Sequence, residues 1–260
     1  MTAPRHAIGV LFLAVLLPGP PVLGAKKLED DGRAVVRKVI DRDTVRLICI
    51  QAPQLPLGLP GFAAWPLAKV SKRALGTTVS GRAARNGHVG CRLDRHGCFL
   101  AHLLVTDRNG GDDLWVRGEL VSLGMARVCT FPDNRRLAAA MLALEGRARA
   151  AQRGICAHPF YAVRVPRKTG SLIDTFQTVE GKVLDAARMR NRVFPNFGLD
   201  WCTYFIVALS SKTCRLFKNE AGDPGALAGR RVRVRGWIKR FNGPLVHTSY
   251  PEQVEVLLLL

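Results

Sequence analysis

Two carboxylates one residue apart, Asp41 and Asp43, stand just before Thr44 and a β-branched run, and Arg46 follows in the same stretch, VIDRDTVRLICIQAPQ (39–54). Carboxylate oxygens at a strand end suit a hard divalent cation, which takes oxygen ligands. A guanidinium beside them suits a phosphate, because its planar fork donates paired N–H bonds to paired oxygens. The set therefore offers Asp43 and Asp41 as candidate metal ligands and Arg46 as a candidate phosphate contact. An Asp-x-Asp-Thr run is also ordinary turn chemistry, since aspartate oxygens satisfy nearby backbone N–H groups. The residues alone leave both readings open.

A second constellation lies near the C-terminus. Arg231, Arg233, Arg235, Trp237 and Lys239 alternate with Val232, Val234, Gly236 and Ile238. Side chains along a strand point to opposite faces in turn, so one face is apolar and the other carries cations around one aromatic. Such a face suits a single strand of nucleic acid, with cations tracking phosphates and an aromatic stacking a base. The alternative is a barrel strand with a solvated outer face, on which Trp237 covers a neighbour.

The rest of the chain bounds these readings. With 39 Lys and Arg against 20 Asp and Glu in 260 residues, the formal charge of +19 points to a polyanion as partner. Seven cysteines, at 49, 91, 98, 129, 156, 202 and 214, show no zinc spacing, and their odd number speaks against a disulfide framework. Residues 1–24 carry Arg5, then an apolar run from Ala7 to Leu17, then prolines and Val22-Leu23-Gly24. That is the pattern of a secretory signal peptide, which predicts a secreted or periplasmic protein with no membrane span in the mature chain; an uncleaved anchor is the alternative.

The elements that must hold the candidate residues follow from pattern. Ala25 to Asp31 reads as a charged, loose leader and 33–50 as β structure; Leu55 to Trp65, rich in Pro and Gly, is a loop. Pro66 to Leu75 suits a short helix, Gly76 to Leu93 strands and turns, and Phe99 to Thr106 a strand that leads into the hairpin-like DRNGGDD (107–113). Trp115 to Leu123 predicts a helix stopped by Gly124. Asp133 to Arg153 predicts a second helix, with Leu137, Met141, Leu144, Ala148 and Ala151 on one stripe. Residues 158–175 lack periodicity and read as a linker. Beyond them, strands near 178–185, 191–198, 203–210, 231–240 and 245–256, with a polar stretch from Lys218 to Gly229, suggest a small barrel.

Four segments in order resemble the thermonuclease (staphylococcal nuclease-like) family: Val39-Ile40-Asp41-Arg42-Asp43-Thr44-Val45; Val45 to Gln54; Leu93-Asp94-Arg95-His96-Gly97-Cys98-Phe99-Leu100-Ala101; and Leu120 to Val128. They cover roughly residues 33 to 157. The segments Asn196-Phe197-Gly198, Arg233 to Trp237 and Asn242-Gly243-Pro244 more loosely resemble OB-fold nucleic-acid-binding modules. The first resemblance implies a calcium ion on Asp43, a neighbouring Asp41, and Arg46 on the scissile phosphate. It also places Gln51 where the family has a second acidic ligand, Gln54 where it has the general base, and Cys98 where it has the second arginine. A glutamine takes no proton at useful pH, a loss typically of about 10²–10⁴-fold. A missing preorganised cation typically costs about 10²–10³-fold. Thr44 also runs directly into Val45-Arg46-Leu47, where the family inserts a turn. In one strand Asp43 and Arg46 would stand about 10 Å apart on opposite faces.

The expectation is thus an α+β chain: signal peptide 1–24, a thermonuclease-like five-stranded OB-like barrel with packed helices at 33–157, linker 158–175, and a second small OB-like β-barrel at 176–257. Its expected function is binding of single-stranded nucleic acid or another polyanion, with weak or absent phosphodiester hydrolysis. Two alternatives stand beside it. One is an active calcium-dependent endonuclease that uses another acid, Asp94 or Glu119; the other is a structural envelope protein.

Overall fold

The structure is a computed structural model and describes residues 29–35, 50–51, 67–88, 102–106, 112–129, 132, 135–200 and 204–257. The chain is mixed α+β, with antiparallel sheets and four α-helices among these residues. In the N-terminal half, β1 (Glu29–Val35), β3 (Ala83–His88), β4 (His102–Val105) and β5 (Leu114–Trp115) form an antiparallel sheet in the order β1-β3-β4-β5, and β2 (Ile50–Gln51) pairs with β6 (Arg127–Val128). The helices of this half are α1 (Leu67–Val79), α2 (Val116–Ser122) and α3 (Ala138–Ala150).

Apolar spacing decides how these elements pack. Leu75 and Val79 of α1 bury against Ala84, Val105, Val116 and Leu120, and the Ser71 hydroxyl donates to the Met125 carbonyl at 3.0 Å. The stripe of α3 behaves as its period requires: Leu137, Met141 and Leu144 close over Trp115, Val121, Ala126 and Val128, while Ala148 meets Ile155, Phe160 and Tyr161. Gly124 (φ +65°) and Gly154 (φ +52°) pass so closely that a Cβ on either would meet the other segment's backbone. That approach lets the Ile155 amide donate to the Gly124 carbonyl at 2.8 Å.

Several boundaries differ from the sequence reading. β1 starts at Glu29, inside the segment expected to be a loose leader, because it pairs with β3. α1 continues through Gly76 to Val79, since burial of Val79 outweighs the roughly 1 kcal/mol that a helical glycine costs. α3 begins at Ala138 after Leu137, Ala151 is its exposed C-cap, and Asp133 lies outside the described residues. The expected linker is ordered: short 3-10 turns bury Phe160 and Tyr161, and Arg164 bridges to Val179.

The C-terminal half contains β7 (Phe176–Lys182), β8 (Asp185–Met189), β9 (Arg192–Asn196), β10 (Ile206–Leu209), α4 (Ser211–Glu220), β11 (Arg231–Phe241), β12 (Gly243–Thr248) and β13 (Val254–Val256). Their sheet runs β13-β11-β12-β10-β9-β8, with β7 also on β11. β10 and β12 are parallel, and α4 and β11 lie between them in the chain. α4 was not foreseen; the Ser210 hydroxyl caps it, accepting from the Thr213 amide at 3.1 Å, while Thr213, Cys214 and Phe217 supply its buried face. Val232, Val234 and Ile238 of β11 point into the core with Val179, Val193, Phe205, Val207, Leu209 and Val246. Burial of each such side chain is worth about 1.5–3 kcal/mol. Of the cysteines, Cys129, Cys156 and Cys214 are free thiols.

Candidate nucleic-acid interface

Asp41, Asp43, Arg46, Gln54, Asp94 and Cys98, like the signal segment 1–24 and the stretch after Thr44, lie outside the described residues. The backbone of Gln51 in β2 pairs with Arg127 of β6. Among the described residues no cluster of three His, Cys, Asp or Glu side chains could hold a metal ion. Glu119 sits on α2, where burial pushes its carboxyl up against the opposing pull of Arg153.

β11 places its five singled-out residues very differently from one another. Opposite it, β7 aligns Arg233 with Glu180, and that carboxylate takes both Arg231 and Arg233 at 2.8 Å. Arg235 is only 3 % exposed: its Nη1 donates to Glu145 Oε2 of α3 at 2.6 Å, and its Nη2 meets Glu255 of β13. Although burial disfavours the charge on Arg235, Glu145 and Glu255 outweigh that effect and hold its pKa above the ordinary value. Lys239 meets Asp174 at 2.7 Å, with both side chains mostly solvated. Arg235 thus stands as a correction to the expected basic face: it is a buried joint between the halves of the chain, out of a ligand's reach.

Around that joint other groups complete a fixed seam. Arg149 Nη2 donates to Glu145 Oε1 at 3.3 Å, and its Nη1 donates to the Tyr161 carbonyl at 2.8 Å. Arg127 donates to the Phe176 carbonyl at 2.7 Å and lies over the rings of Tyr161 and Phe176, at 4.7 and 5.1 Å from their centroids. Burial pushes the Arg127 guanidinium down to about 10, against the favourable pull of Tyr161 and Glu145. Burial also raises Glu145, but Arg235 and then Arg149 overcome it and hold the carboxyl below its usual range.

Arg231 and Lys239 stay exposed but ion-paired, and the other exposed member of the five is aromatic. Trp237 is 47 % exposed and packs its ring edge-on to Phe176 at 6.2 Å. Continuing the register by one residue from the Ile238–Val246 pair sets His247 of β12 beside Trp237. The parallel pairing then sets Ala208 beside His247, and the β10–β9 register, between its Ile206–Asn196 and Leu209–Val193 pairs, sets Phe194 beside Ala208. A row therefore crosses the outer surface from Trp237 through exposed His247 to half-buried Phe194, which rests on Ile206, Ala208 and Leu245. Three strand spacings give it a length of about 14 Å. Exposed Arg190 and Arg192, at the β8–β9 turn, and Arg240 have no ion pair with a described residue. Phe194 and His247 were missed in the sequence, although each sits at an outward position of a strand with buried neighbours: Val193 and Pro195 for one, Val246 and Thr248 for the other.

No protein-family model matches the chain, and no curated protein matches it.

Proposed function

We propose that the protein binds single-stranded nucleic acid on the outer row Trp237–His247–Phe194, and that its N-terminal half is a thermonuclease-like unit with a depleted catalytic set. The row carries the proposal. Rings at the surface of β11, β12 and β9, two exposed and one half-buried, offer stacking surfaces to unpaired bases, each stacking contact being worth about 1–3 kcal/mol. Arg190 and Arg192 supply cations that internal carboxylates leave uncommitted, which a strand's phosphates require. Duplex bases, already stacked and paired, gain nothing from such a row.

The strand order supports an OB-type barrel as the scaffold. β7 runs into β8 through Val183 and Leu184, and at that bend the hydrogen-bond partner changes: the Val183 amide donates to Arg230, and the Leu184 amide to Asn196. Taken as one bent strand, β7 and β8 bring the path β8-β9-β10-β12-β11-β7 back to its start, with five strands and a helix between the third and fourth. Calcium would fall to Asp43 and Asp41, with Gln51 supplying no charge. Gln54 and Cys98 deprive the attack on phosphate of a base and a second cation. Export through residues 1–24 belongs to the same proposal.

The test is fluorescence anisotropy with labelled single-stranded and duplex DNA and RNA, alongside a cleavage assay with calcium or chelator. Preferential single-strand binding, weakened about tenfold by Trp237→Ala or Phe194→Ala, is the expected result. Duplex preference, or indifference to both substitutions, would remove the row as the binding surface. Vigorous chelator-sensitive cleavage would overturn the depleted catalytic set.

A further inference from the structure

A cleft of about 600 Å³ opens where the C-terminal end of α3 and the turns that follow it face β11. This lies within the roughly 300–1,000 Å³ range of small-molecule sites. Arg149 and Arg233 line it with the amide of Gln152, and none of its lining residues is acidic. Each arginine is held by a carboxylate outside the lining, Glu145 for one and Glu180 for the other. Arg149 commits Nη1 and Nη2, and Arg233 commits Nε and Nη2, so further N–H edges of both rigidly held forks remain. Ala150, Ala162 and Val163 give the cleft an apolar wall.

Gly146 supplies a second observation. It lies inside α3, where glycine costs about 0.5–1 kcal/mol relative to alanine, and it lines the cleft. A Cβ built there meets nothing within 4 Å, so neither packing nor backbone conformation asks for glycine. What the missing side chain does is keep the cleft open.

We propose that this cleft binds a small organic phosphomonoester, its phosphate on the guanidinium groups of Arg149 and Arg233 and its apolar body against Ala150, Ala162 and Val163. The planar forks match phosphate oxygens in pairs, and the space beyond them is too large and too apolar for phosphate alone. The site is separate from the aromatic row and stands whether or not that row binds nucleic acid.

Isothermal titration calorimetry of the full chain with phenyl phosphate, adenosine 5′-monophosphate and inorganic phosphate tests it. Either organic ester should bind at least about tenfold more tightly than inorganic phosphate, because only the ester buries apolar surface. Arg233→Gln should weaken the ester about tenfold or more; Glu180 keeps Arg231 as a partner, so the fold is retained. Gly146→Leu should abolish ester binding while leaving thermal stability equal or higher, and Trp237→Ala should leave ester binding unchanged. Absence of ester binding, parity with inorganic phosphate, or binding that survives Gly146→Leu would each overturn the proposal.

Discussion

Replacing Glu145 by glutamine tests the seam between the halves most directly. The carboxylate is 3 % exposed and accepts from Arg235 at 2.6 Å, from Arg149 at 3.3 Å and from the Val128 amide at 3.3 Å. Glutamine keeps the shape and one acceptor but removes the charge, leaving Arg235 buried with Glu255, itself 25 % exposed, as its remaining carboxylate. Breaking a buried pair from one side costs about 3–5 kcal/mol. Because Glu255 still compensates in part, the lower end, about 3 kcal/mol, is the expected loss. With a urea slope of about 2 kcal/mol per molar, the unfolding midpoint should fall by about 1.5 M. Circular dichroism and tryptophan fluorescence, followed in Glu145→Gln, Arg235→Gln and the double variant, give both the loss and the coupling. A midpoint shift below about 0.3 M, or no coupling between the two sites, would refute the reasoning. The depressed carboxyl also fixes a sign: its contribution is complete above the unfolded carboxylate value and is lost as acid drives the pH down through the lower folded value.

His102 is buried, accepts from Trp115 Nε1 at 3.0 Å, and is pushed down to about 2, chiefly by burial and then by Arg117. Its stabilisation is therefore complete above its unfolded value of about 6.5 and should fall away as the pH drops from there towards 2. Melting temperatures between about pH 4 and 7 should show that slope, and His102→Gln should flatten it. Gly124→Ala should destabilise by about 3 kcal/mol in urea unfolding, since an added Cβ meets the Arg153 carbonyl at a positive φ. If Arg190 and Arg192 each neutralise one phosphate, the slope of log K for a single strand against log salt should be about −1.4, and Arg192→Gln should reduce it by about 0.7.

Much of the framework was legible in the sequence because it rests on local periodicity. The stripe Leu137–Met141–Leu144–Ala148 had to bury one face of a helix, and Gly124 had to end α2 in the left-handed region. The alternation of 231–239 had to send Val232, Val234 and Ile238 inward whatever the fold. α4 escaped notice because its polar composition carries only three buried residues, and the connector because 3-10 turns leave no period.

The outward side of that same strand was beyond local pattern. Whether an arginine is a ligand contact or a structural joint depends on which carboxylate the fold brings to it, and those acids come from far along the chain. Glu145 reaches Arg235 across 90 residues and holds it buried, whereas Glu180, 53 residues from Arg233, leaves part of that guanidinium open. Likewise, the row from Trp237 to Phe194 exists only through the registers of four strands. Sequence alone determined which side chains must leave water, because burial follows a short repeat; tertiary structure decided which charges stay free, because electrostatic pairing depends on distance in space, which local spacing does not encode.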